Sequence, residues 1–196
     1  MKRLLAMLSI LAVTLAMLPA PDAYAEPVNG LELTISADKT DLALIPIEYD
    51  KSSKDSPPYR VGTPAKLTFT FTNVSDKPVK LDAYDLVWSR LRLEVQGPDA
   101  GSVRVVKRMV ERMMRAPREQ DYPVVAPGGS WTCPGWASFP GNFGENEYTL
   151  FKPGEFRIRA ILTCAERKDL PLAAGSWTGV VMSNEIVFKA VVKPPE

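Results

Sequence analysis

The chain of 196 residues has no histidine, only 2 cysteines and a near-zero formal charge of +1. Each shortage excludes a class of protein. Without imidazole there is no Ser-His-Asp or Cys-His machinery and no His-ligated zinc, because no other unperturbed side chain titrates near neutral pH. Two thiols alone do not complete a zinc site. Balanced charge supplies no global field for holding nucleic acid, so none is expected as a partner. No Gly-rich phosphate loop or nucleophile elbow occurs, and Gly128-Gly129-Ser130 reads as a turn into a strand. No cofactor is implied.

The one long apolar run lies at the start. Lys2 and Arg3 precede Leu4–Leu18, and the stretch ends on Ala23-Tyr24-Ala25. That is the anatomy of a secretory signal peptide, removed before Glu26. The run is shorter than the roughly 20 residues a spanning helix needs, so no transmembrane segment is expected after cleavage. A periplasmic or secreted protein follows, with 26–196 as a single domain. In that compartment Cys133 and Cys164 are expected to form a structural disulfide, with two buried free thiols as the alternative. Asn73-Val74-Ser75 is read as a strand end.

Proline, at 18 residues, favours many short elements over long helices. Period-two alternation dominates the remainder. Leu31, Leu33 and Ile35 alternate with polar residues, as do Leu67, Phe69 and Phe71, then Leu91, Leu93 and Val95, then Phe156, Ile158, Ala160 and Leu162. Cys164 shares the last parity. Ile186, Phe188 and Ala190 mark one face of a final strand. Weaker candidates are Val79–Leu81, Tyr122–Val125, Tyr148–Phe151 and Trp177–Met182. Such strands, without long helical spacers, predict a mainly β fold built as an antiparallel sandwich. A polar, Pro-terminated stretch near 50–60 reads as a mobile loop.

The run Gly62–Val79, the entry Pro153–Ala160 and the segment Ser183–Phe188 resemble the second, penultimate and last strands of exported bacterial immunoglobulin-like domains. The same strand grammar is similar to a bacterial proteinase-inhibitor sandwich family. The resemblance implies an immunoglobulin-like β-sandwich scaffold, and such scaffolds host many unrelated roles.

Two segments depart from this grammar. Near 103–116, Val103, Val105, Val106, Met109, Val110, Met113 and Met114 fall on one half of a helical projection. From Arg104 to Arg118 there are six basic residues and one acid, a local charge of +5. One inserted amphipathic helix is therefore expected, with a strand as the alternative for Val103–Val106 alone. It either lays its apolar half on the sheets or offers Arg104, Lys107, Arg108, Arg112 and Arg115 to an anionic partner. The width of the apolar half favours packing. Between Trp131 and Tyr148 lies a Gly/Pro-rich loop whose Trp136, Phe139 and Phe143 either plug the core or form a platform for a glycan.

These features predict a non-enzymatic module for a protein or cell-envelope partner. A carbohydrate-binding module using the loop 131–148 is the alternative. A hydrolase with two facing carboxylates is the third reading, since that chemistry needs no histidine.

Overall fold

The structure is a computed structural model that describes residues 26–46, 59–84, 86, 90–98, 103–107, 116–133, 137–139 and 152–193. Over these the chain is mainly β. One sheet is ordered β1 (Leu31–Ala37), β4 (Ala65–Asn73), β10 (Ala137–Phe139), and β9 (Ser130–Thr132) also pairs with β4. A second sheet runs β3 (Tyr59–Val61), β2 (Asp41–Pro46), β12 (Gly179–Val192), β11 (Gly154–Cys164), β6 (Leu91–Gln96), β7 (Val103–Lys107). A two-stranded ribbon joins β5 (Val79–Lys80) to β8 (Val124–Val125).

The predicted parities hold in β1, β4, β6 and β11. Leu31, Leu33 and Ile35, Leu67, Phe69 and Phe71, Leu91, Leu93 and Val95, and Phe156 through Leu162 in steps of two are all buried. Their side chains from both sheets form one core. Phe139 from β10 joins the sheets, its ring centroid lying 5.0 Å from that of Phe188 and 6.2 Å from that of Phe156. Burying each such ring or leucine contributes about 1.5–3 kcal/mol, which decides the register of every strand.

Local chemistry sets the chain reversals. Val28 and Leu31 exchange two backbone hydrogen bonds of 2.9 Å around Asn29-Gly30. Both turn residues have positive φ, 48° and 76°, as this Asn-Gly hairpin turn demands. After β1 the chain changes sheet: Asp38 N–H donates to Lys66 of the first sheet, and the Thr40 carbonyl accepts from Lys189 of the second. Strand β2 then runs parallel to β12. The second sheet is consequently mixed, where an all-antiparallel arrangement was expected.

The last strand differs from its simple alternation. Phe188 and Ala190 are buried as predicted, but upstream of them the inner residues are Val181 and Ser183. Between the pairs Arg159↔Glu185 and Ile161↔Met182, β12 advances three residues while β11 advances two. This bulge reverses the parity. It also leaves Ala160 N–H to be met by Ser183 Oγ at 2.8 Å. Beside it Asn184 imitates a peptide unit, accepting from Ile35 N–H at 2.8 Å and donating to Ile35 C=O at 3.1 Å. The final strand is thereby tied to β1 of the other sheet.

Three expectations need correction. A helix does not begin at Val103: residues 103–107 form β7, antiparallel to β6. Three β-branched valines suit a strand, and β6 offers a ladder edge that supplies their backbone hydrogen bonds. The remainder of that predicted helix, residues 108–115, lies outside the described residues. The loop near 50–60 ends earlier than expected, because Tyr59–Val61 pair with β2. Finally, no disulfide joins Cys133 to Cys164, and both are buried. Cys133 follows β9 on the first sheet, its N–H bonded to Phe69 C=O at 3.0 Å, whereas Cys164 ends β11 on the second. Tyr148–Phe151 falls outside the described residues.

Candidate functional site

The aromatic platform loses a member. Phe139 is 1% exposed and is a core residue between the sheets, so it cannot stack on a sugar. Trp136 and Phe143 lie outside the described residues. Trp131 is half-buried, with its ring 5.7 Å from that of Phe71. Of the basic set, Arg108, Arg112 and Arg115 are outside the described residues. Arg104 and Lys107 stand on β7 across from Val95 and Arg92 respectively. A strand replaces the shared helical face on which they were expected.

A buried polar centre that sequence reasoning missed sits where β6 begins and β11 ends. Arg90 Nη2 lies 2.8 Å from Asp82 Oδ2, with side chains only 10% and 2% exposed. Arg90 Nη1 also reaches Cys164 Sγ at 3.8 Å. Three loops close the centre through backbone bonds: Leu81 N–H to Pro123 C=O and Ala83 N–H to Asp121 C=O, both 2.9 Å, and Trp177 N–H to Lys80 C=O at 2.7 Å. Lys80 Nζ caps the Ala174 carbonyl at 3.1 Å and lies 5.5 Å from the centre of the Tyr122 ring. Among the described residues neither Asp82 oxygen nor Tyr122 Oη has a partner in hydrogen-bond geometry, so Arg90 meets Asp82 Oδ2 as an ion pair.

Electrostatics make this centre chemically quiet. Burial pushes the Cys164 thiol above its ordinary value, against the opposing hydrogen bond from Arg90. Burial, followed by the charge of Asp82, pushes the Tyr122 phenol up as well. Both groups are therefore protonated at neutral pH, and the thiol is no nucleophile there. The centre fastens loops. Among the described residues, no three His, Cys, Asp or Glu side chains converge as metal ligands. A signal for the centre did exist: Asp82 lies between Leu81 and Leu86, both buried, and a carboxylate so flanked needs a partner.

At the opposite end of β6 and β11 lies a surface pocket of about 410 Å³, lined by Gln96, Gly97, Pro98, Gly154, Glu155 and Arg157. Gly154 has φ 140°, and any Cβ there would strike Pro98. The cation of this pocket is already engaged, since Arg157 pairs with Glu185 at 2.9 Å and Glu155 at 3.1 Å.

The outer face of the six-stranded sheet divides in two. Toward that pocket, Arg159 stands between Glu94 and Glu185, and Lys189 between Glu155 and Asp41. The charges there alternate across the strands. Toward the buried centre, one row reads Lys107, Arg92, Ile161, Met182 across β7, β6, β11 and β12. Here Val180 is 53% and Met182 38% exposed, and Val191 farther along β12 is 59% exposed. No helix among the described residues is long and apolar enough to cross a membrane.

Neither the family models nor the curated proteins contain a match to this chain. Among solved structures, a β-glucosidase from Erythrobacter marinus aligns over 82% of this chain at 11% identity, with a TM-score of 0.37. The alignment spans 15% of that enzyme, and so slight a likeness carries no argument about fold or activity.

Proposed function

We propose that this chain is an exported immunoglobulin-like β-sandwich that acts by binding a protein partner of the cell envelope, with the outer face of the six-stranded sheet as its binding surface. Two sheets sharing one core and a first strand segment that changes sheets support the sandwich. The leader ending Ala23-Tyr24-Ala25 supports export. The observation that carries the binding reading is the exposure of Val180, Met182 and Val191 on a single strand, on the face turned away from the core. A solvated sheet face ordinarily carries polar residues at those positions. Covering such side chains with a partner contributes up to about 1.5–3 kcal/mol each, and apolar surface rimmed by charge is the usual anatomy of a docking site.

The test is site-specific photo-crosslinking in intact cells, with a crosslinker placed at Val180, Met182 or Val191. A control crosslinker goes at Val74, which is exposed just beyond β4 on the other sheet. Discrete adducts from the β12 positions alone are expected. Adducts from Val74 only, or from no position, would overturn the proposal.

A further inference from the structure

Among the described residues, the apolar half of this face carries a cation with no carboxylate paired to it. Arg92 pairs in register with position 107 of β7. Among the described residues no carboxylate pairs with Arg92, and its Nε is buried without an acceptor. Glu94, two residues farther along β6, makes no ion pair with it. Arg157 and Arg159 on the neighbouring strand differ in having a carboxylate, since Glu185 holds both, at 2.9 and 3.3 Å, although Arg159 Nε is likewise buried without an acceptor. On the other side of Arg92 in the same row come Ile161 and Met182. A guanidinium with unused donors beside apolar side chains suits a carboxylate and an aliphatic group presented together.

We infer that the binding face receives an acidic, extended segment of a partner protein, with a carboxylate on Arg92 and an adjoining apolar side chain on Ile161 and Met182. The inference rests on the binding reading above and specifies the partner's chemistry. A peptide fits better than an anionic membrane, because Glu155 and Glu185 already hold Arg157, and Glu185 holds Arg159, so the described part of the face offers no broad positive surface. The occupant carries isolated acids spaced by apolar residues, as one face of a strand does.

Fluorescence anisotropy with labelled peptides tests this, using one of alternating Glu and Val and one of alternating Lys and Val, alongside phosphatidylglycerol vesicles. The acidic peptide is expected to bind, more weakly as salt is raised, and the basic peptide not to bind. Arg92→Gln should weaken the acidic peptide about tenfold, the loss expected for one charge-assisted contact. Arg92→Lys should restore part of that affinity, and the exposed-site change Met182→Lys should weaken binding with the thermal midpoint unchanged. Equal binding of both peptides, no binding of the acidic one, indifference to Arg92→Gln, or binding to vesicles alone would each overturn the inference. Cellular crosslinks from Met182 that persist in Arg92→Gln would retain the binding face and reject its acid chemistry. Absence of crosslinks would reject both.

Discussion

Asn73 and Asp82 are both buried and polar, yet they are satisfied to very different degrees. At the end of β4 the Asn73 amide donates to Lys77 C=O at 2.7 Å and Val125 C=O at 2.8 Å. Its oxygen accepts from Ser75 N–H at 2.9 Å and Ser75 Oγ at 2.7 Å. Every donor and lone pair of the amide is used. Asp82 has the ion pair of one oxygen with Arg90, and among the described residues neither oxygen makes a hydrogen bond. A neutral, completed knot rigidifies the turns around it, whereas a half-completed ionic centre depends on the one partner that offsets its desolvation. The first fixes a strand end. The second fastens three loops at the end of the sheet that also carries the proposed binding face.

That contrast breaks most visibly at Arg90. Arg90→Met leaves the Asp82 carboxylate buried without compensation and should destabilise the fold by about 3–5 kcal/mol, read from urea unfolding. Adding Asp82→Leu should recover most of the loss, because an apolar pair removes the stranded charge. At the completed knot, Asn73→Ala should cost about 2–3 kcal/mol, since the carbonyls of Lys77 and Val125 lose their donor. No single second change should rescue it.

The smallest effect sharpens the contrast. Tyr122→Phe removes a buried hydroxyl that has no partner, so stability at neutral pH should change by less than about 1 kcal/mol or rise. Its pH signature differs. Tyr122 and Cys164 are raised above their ordinary values of 10.0 and 9.0 in the fold. The unfolded chain therefore loses these protons first as pH rises. Their contribution is complete below pH 9 and declines through the alkaline range. Unfolding midpoints followed upward from pH 8 should fall, and Tyr122→Phe should make the decline shallower. An unchanged slope would show that the phenol is not protected as its surroundings imply.

The strands were legible wherever one face was buried and the other wet. In β1, β4, β6 and β11 a one-residue slip would turn leucines and phenylalanines into water, so alternation alone names their inner residues. Val103–Lys107 reads first as helix and alternatively as strand, because its valines satisfy both patterns, and the ladder edge of β6 decided for the strand. Half of β12 was misassigned, since nothing local announces that Ser183 will serve Ala160 and Asn184 will serve Ile35. The expected disulfide came from counting two cysteines in an oxidising compartment. In the fold no bond joins them, and Arg90 Nη1 reaches the Cys164 sulfur at 3.8 Å. Phe139 reads from sequence either as a core plug or as part of a platform, because composition does not distinguish a displayed ring from a packed one.

By itself the sequence determined the mainly β character, the inner parity of four strands and the turn at Asn29-Gly30, because these follow from side-chain periodicity and local backbone sterics. Tertiary structure alone decided which strands became neighbours, and hence the parallel pairing of β2 with β12, the Asp82–Arg90 centre and the row of Lys107, Arg92, Ile161 and Met182. Those arrangements join residues far apart in the chain, and their energies exist only once the two sheets have closed on a common core.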